Sequence, residues 1–286
     1  MMNKEFKQAG RESDALLEQV RFNHPESAGA AIERLFDQYP RELNHLQPFL
    51  VTNLANSADP DRALTHFERL IDHGGNKLLA YLVENPRLVE VLATLFANSP
   101  FLTEILLAAP ENIELLNQHS VLTERKTVEQ YLAEALTLCQ PIRHELEKLN
   151  RLRKYQRAQL LRIGTSDFLD LFDLRAVISQ LSRLAIALTR VCLALAVEQT
   201  GINPAGFTVL AMGKLGGREL NYSSDIDLLF VSRDDPIKFL PLARALIEII
   251  SKTTAEGFLY RVDMRLRPWG HDGPLVSSLE SQVAYY

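Results

Sequence analysis

The chain has 286 residues, a net charge of −5, 47% hydrophobic and 23% charged residues. That length can bury a real core in one large or two modest domains, and the composition excludes wholesale disorder. The negative balance argues against nucleic acid as a partner, and two cysteines are too few for a disulfide framework or a zinc site, which points to a reducing, cytoplasmic setting.

Met1 to Arg11 is polar and mixed in charge, with no apolar core of a secretory signal. From Glu12 to Gln199 the pattern predicts about nine short helices. Glycine is costly inside helices, and only five of the 13 glycines fall in these first 200 residues, the other eight lying between Gly201 and Gly273. Asp59-Pro60, Asn85-Pro86 and Ser99-Pro100 each set a capping residue before a proline at a first helical position. Behind them come apolar sets at helical spacing: Leu64, Phe67, Leu70 and Ile71, closed by Gly74-Gly75; Leu88, Val89, Leu92, Leu95 and Phe96; and Ile105, Leu106 and Leu107. No fixed repeat emerges, although stacked helix pairs fit the pattern. A longer pair comes next, Val128 to Leu149 and then Leu169 to Glu198 behind an Asp167 cap. The apolar stretch Leu184 to Val197 is broken by Thr189 and Arg190 and falls short of the roughly 18 residues of a membrane span, so no membrane partner is expected. Its apolar character predicts burial against the region after Gly201, with Cys139 and Cys192 as small core residues.

The period changes after Gly206. Phe207 to Met212 and Ile226 to Val231 read as buried strands. Phe239 to Ile250 reads as a helix, with Pro236 and Pro241 at its start. Phe258 to Leu266 alternates cleanly, with Phe258, Tyr260, Val262, Met264 and Leu266 on one face and Arg261, Asp263, Arg265 and Arg267 on the other, which predicts a third strand.

Chemistry concentrates between Gly213 and Asp227. Gly213-Lys214-Leu215-Gly216-Gly217 ends the first strand. Backbone N–H groups in such a turn can hold an anion, with Lys214 adding charge, or the segment can be a plain tight turn. It is neither a Walker A loop nor a dinucleotide fingerprint. Asp225 and Asp227 stand two apart on a strand and so share a face. They stay ionised together most easily around a divalent cation. Asp263 can complete a trio suited to two-metal phosphoryl chemistry. The alternative is an exposed strand face with Asp263 paired to Arg265 or Arg261. Arg265 and Arg267 either clamp phosphate or form surface ion pairs. His271 either assists proton transfer or is an exposed loop histidine. The basic run Arg151 to Arg157, with Arg162, either meets an acidic surface or is a solvated helix face.

Gly213 with Asp225-x-Asp227 resembles the signature of DNA polymerase beta-type nucleotidyltransferases. Met212 to Leu220, Ser224 to Leu228 and Arg261 to Pro268 more specifically resemble the bacterial glutamine synthetase adenylyltransferase and adenylyl-removing enzyme family. The resemblance covers about Phe207 to Tyr286 in its motifs. With the helical pattern of residues 1–200, which agrees with the family's helical lead-in only in character, this gives an α+β chain, and the resemblance implies a polymerase-beta-like nucleotidyltransferase domain with a small mixed sheet over 201–286.

That family joins an AMP-removing half, which works by phosphorolysis, to an AMP-adding half. Asn221-Tyr222-Ser223-Ser224, Gly273-Pro274-Leu275-Val276 and Tyr285-Tyr286 look more like the removing half. The resemblance implies Mg²⁺ on Asp225, Asp227 and Asp263. It implies phosphate or nucleotide contacts from Gly213, Lys214, Gly216, Gly217, Ser223, Ser224, Arg265 and Arg267. Its partners would be glutamine synthetase, ADP or ATP, phosphate and, given further modules, a PII-type signal protein. The family's following helical module and second half are not in this sequence, so the domain is expected to be truncated on its C-terminal side. The alternatives are the AMP-adding direction and a non-catalytic interaction module.

Overall fold

Prolines and short polar side chains start the helices in the computed structural model, which describes residues 19–233 and 235–285. The predicted start of the first helix at Glu12 lies outside them. By packing, the chain forms two compact units. One runs to Glu124 and includes Gly164–Leu171; the other holds Arg125–Ile163 and Phe172 onward.

In the first unit, α1 (Pro25–Gln38), α2 (Pro40–Ala55), α3 (Pro60–Glu84), α4 (Arg87–Asn98) and α5 (Pro100–Ala108) precede the short α6 (Ile113–Leu116) and α7 (His119–Thr123). Asp59 accepts from the Arg62 N–H and Ser99 from the Leu102 N–H, as capping residues should. Asn85 does not cap the helix after it. Its side-chain amide donates to the Tyr81 carbonyl and its oxygen accepts from Asn117. Gly75, at φ 52, divides α3 into two helices at the predicted stop. Every apolar residue of the three predicted sets is buried, and Phe67 meets Phe96 edge to face at 5.0 Å. Burying such stripes against one another, rather than propensity, stabilises helices this short.

In the second unit, α8 (Val128–Cys139) begins at a Thr127/Gln130 capping box. The predicted helix from Val128 to Leu149 is in fact broken around Pro141, because proline lacks the N–H an interior position needs. A separate α9 runs Glu145–Phe168. Asp167 therefore lies inside α9, and α10 (Leu174–Thr200) is capped by Asp173, which accepts from the Ala176 N–H at 2.7 Å. Helix α10 is long and apolar enough to cross a membrane by length and composition alone. Here it is a core helix, with Leu184, Leu188, Val191 and Cys192 fully buried, and it packs on α12 (Leu240–Ser251).

The sheet is small and mixed. Strand β2 (Ile226–Ser232) is central and pairs antiparallel with β1 (Phe207–Met212). On its other edge lie two short parallel strands, β3 (Val262–Asp263) at its start and β4 (Val276–Ser278) at its end. A four-residue turn α11 (Gly213–Gly216) follows β1, and α13 (Leu279–Tyr285) follows β4. Phe207 stacks between Phe230 and Phe239 under the sheet.

The predicted third strand forms only as a two-residue ladder. Only Val262 and Asp263 pair, while Phe258 and Leu266 are exposed and Leu259, on the supposed polar face, is buried. The strand stops because the Arg265 N–H donates to the Asp263 carboxylate at 2.8 Å and the Arg267 N–H donates to the Met264 carbonyl. Local side-chain bonds of this kind turn a chain out of a ladder.

The basic run is not a solvated helix face throughout. Arg153 and Arg162 are fully buried, not solvated. Arg162 donates to the Tyr131 hydroxyl at 2.6 Å and to Gln180.

Candidate active site

Strand β2 carries the acidic site because its register sets it. Asp227 lies opposite Met212 on β1 and beside Asp263 on β3. Neighbouring strands stand about 5 Å apart, so the two carboxylates meet across the sheet. Asp225 precedes the strand, and the Ile226 N–H donates to the Arg261 carbonyl at 2.9 Å, which draws the two segments together. Ile226, Leu228 and Phe230 are buried in the core, as the alternation predicted.

The three carboxylates have different surroundings. The Asp227 carboxyl is pushed above its ordinary value by burial first, then by the charges of Asp263 and Asp225. Asp263 is held below its ordinary value by hydrogen bonds from the Arg265 side chain and backbone. The guanidinium grips it with contacts of 2.5–3.0 Å. Asp225 accepts from Arg261 at 2.5 Å, and the same guanidinium donates to the Ser223 carbonyl at 3.2 Å. The sequence offered Arg261 only as an alternative partner of Asp263; the structure gives it to Asp225.

The glycine turn faces Asp227. Gly213 has φ 51, and a Cβ there would overlap the Asp227 carboxylate. Only glycine lets the backbone come this close in this conformation. Lys214 is exposed and its charge acts on Asp227. The Gly217 N–H donates to the Gly213 carbonyl at 3.0 Å, which closes the turn. Gly216 packs against the Ala211 carbonyl. Ser224 donates to Asn221 at 2.6 Å, which shapes the loop before Asp225, and Ser223 is exposed.

Two arginines on the third segment part ways. Arg265 stays with Asp263. Arg267 donates to the carbonyls of Gly273, Met264 and His271 at 3.0–3.1 Å, so its guanidinium shapes the loop after β3. His271 is exposed. A cavity of 480 Å³ lies behind the glycine turn, between Ile186, Leu193, Val209 and Leu228, and none of the three carboxylates lines it.

The donors suit a divalent cation in kind. Hard carboxylate oxygens, one of them destabilised by two like charges, are what Mg²⁺ relieves. Among the described residues, however, no three acidic, histidine or cysteine side chains are gathered around one point. Asp225 and Asp263 are instead neutralised by arginines. A cation on Asp227 would have to draw them away from these partners.

The family model described as glutamate-ammonia ligase adenylyltransferase matches residues 89–286. Curated relatives carry the name bifunctional glutamine synthetase adenylyltransferase/adenylyl-removing enzyme. The one from Shewanella loihica is 34% identical over 230 residues, covering 70% of this chain and 23% of its own length. The one from Thioalkalivibrio sulfidiphilus is 29% identical over 290 residues, covering 90% of this chain and 30% of its own. The one from Streptomyces coelicolor is 32% identical over 295 residues, covering 97% and 28%. The chain thus spans less than a third of the length of these relatives.

Proposed function

From the premise that this chain belongs to the glutamate-ammonia ligase adenylyltransferase family, we propose that residues 201–286 form a nucleotidyltransferase domain that removes AMP from adenylylated glutamine synthetase by phosphorolysis. One observation carries the catalytic reading. Asp227 is set beside Asp263 by strand register and against the Gly213 turn by a contact only glycine allows. The removing direction rests on sequence: Asn221 to Ser224 and Gly273 to Val276 resemble the removing half.

Once Asp225 and Asp263 leave their arginines, they and Asp227 would hold Mg²⁺, which would supply positive charge for the phosphate oxygens and the leaving group. The protein's own groups do the rest. The Gly213-Lys214 turn orients inorganic phosphate through backbone N–H groups and one ammonium. Phosphate oxygen attacks the phosphorus of the AMP group, and its bond to the protein tyrosine oxygen breaks. The tyrosine oxygen leaves with the bonding pair and takes a proton, and the product is ADP. Arg265 and Arg261 are well placed to pass from carboxylates to phosphate oxygens, for which a guanidinium is equally suited. Gly217, Ser223 and Ser224 would add the phosphate and nucleotide contacts that the resemblance implies, whereas Gly216, packed against the Ala211 carbonyl, would serve the shape of the turn.

A second reading, an inert interaction module, is favoured by one fact: two of the three carboxylates are already paired with arginines. Incubation with adenylylated glutamine synthetase, phosphate and Mg²⁺ separates the readings. ADP is the expected product. Free AMP would mean hydrolysis, net addition of AMP from ATP would mean the opposite half, and no turnover with no Mg²⁺-dependent nucleotide binding would favour the inert module.

A further inference from the structure

Arg153 is fully buried, yet its hydrogen-bond partners are carbonyls rather than a carboxylate. It donates to Leu149 in its own helix, to Ile249 and Lys252 at the end of α12, and to Gly257 in the next turn, at 2.6–3.3 Å. Burying a guanidinium without an anion is costly. The cost is offset because the last carbonyls of a helix lack partners within it and carry partial negative charge. Burial still pulls the Arg153 pKa down.

Its neighbours on α9 hold the same stretch of chain. Gln156 donates to the Leu259 carbonyl at 2.6 Å, and Arg157 and Lys154 pair with Glu256. Lys252, Glu256, Gly257 and Leu259 are thus fastened one after another, and Asp263 comes four residues later. Strand β3 is only two residues long, too short for its ladder bonds alone to fix where Asp263 stands. Its placement must come largely from the segment before it.

We infer that Arg153, supported by Gln156 and Arg157, is a positioning residue that sets Asp263 beside Asp227 by holding the 252–259 segment in one conformation. The role of Asp263 in a metal and phosphate site rests on the proposed function; the placement itself does not. Lysine at 153 keeps the charge but cannot span four carbonyls, because its three donors radiate from one point. Methionine keeps the bulk and leaves the carbonyls unpaired.

The test measures two things in Arg153→Lys, Arg153→Met and the milder Gln156→Ala. The first is amide hydrogen exchange. The second is binding of Mn²⁺ alone, read by its paramagnetic resonance signal. Thr127→Ala, which breaks the capping box of α8 far along the chain from the clamp, serves as a control for general destabilisation. Exchange over residues 252–263 is expected to quicken about tenfold in the clamp variants but not in the control, with Mn²⁺ affinity about tenfold weaker. Wild-type binding with unchanged affinity and unchanged exchange in all three variants would overturn the inference. If wild type binds no Mn²⁺, the metal-site reading fails by itself and exchange alone decides the clamp. If both Arg153 variants fail to fold, Gln156→Ala decides.

Discussion

Replacing Asp227 by asparagine should make the metal-free protein more stable while removing its response to Mg²⁺. Asp227 and Asp263 are direct neighbours across parallel strands, about 5 Å apart at the backbone. Two unit charges at that distance repel by about 1–3 kcal/mol at effective dielectric constants of about 80 to 20. Arg265 already neutralises much of Asp263, so the lower figure applies. Asp227→Asn is therefore expected to gain up to about 1 kcal/mol without metal. The gain depends on pH with a definite sign. The Asp227 pKa is raised in the fold, so its contribution to stability is fully present below the unfolded value and is lost as pH rises through the folded value. The advantage of asparagine should accordingly appear as pH climbs through that window and vanish below it. Mg²⁺ at about ten times its dissociation constant stabilises a binding-competent protein by about 1.4 kcal/mol. Wild type should show this gain and the variant should not. Urea unfolding with and without Mg²⁺ measures both, with an unchanged slope showing that the unfolded state is the same. A variant that lost stability without metal, or gained as much from Mg²⁺ as wild type, would refute the repelling-pair argument.

Gly213→Ala should cost at least about 1 kcal/mol, because it combines a left-handed backbone with a clash against the Asp227 carboxylate; thermal unfolding and Mn²⁺ titration should both register it. Arg265→Met should tighten Mn²⁺ binding by freeing Asp263 while weakening phosphate binding, and isothermal titration of each ligand checks the opposite signs. The same variant should change acid unfolding. Asp263 is held low by Arg265, so its stabilisation exists above the unfolded pKa and is lost as pH falls through the folded one, and without Arg265 that acid-sensitive portion should disappear. The Cys192 thiol is pushed up to about 12 by burial, and Cys139 is also buried and raised. Neither should react with a thiol reagent at neutral pH until the protein unfolds, which a time course with and without denaturant would show.

The helices of the first unit were readable because their cause is local. Asp59 and Ser99 cap within three residues, and Leu92, Phe96, Leu102 and Leu106 bury at helical spacing. Strands β1 and β2 were readable because both are apolar runs ended by turn residues, but only β2 is buried as expected; in β1 Phe207 alone is buried and Leu210 is exposed, because β1 is the outer strand of the sheet. Strand alternation is also local, but it placed only Asp227 on the strand; Asp225 stands just before it. The third strand misled for the opposite reason. Alternation from Phe258 to Leu266 promised a long ladder, but the Arg265 bonds to Asp263 and the α9 clamp bend the chain out of it.

The basic run misled in the same way. Leu149, Arg153, Gln156 and Leu160 trace one helical stripe, all buried, so spacing alone marked Arg153 as inward-facing even though its charge suggested solvent. Composition and local pattern determined most of the helices, the Asp59 and Ser99 caps and the first two strands, because those depend on neighbours within one or two turns. Which arginine neutralises which carboxylate, and how a buried guanidinium comes to hold the segment before Asp263, only the tertiary structure decided. Arg265 reaches Asp263 from two residues away, but Arg261 meets Asp225, and Arg153 meets the 249–257 carbonyls, across 36 to 104 positions, and no local period records a partner at that distance.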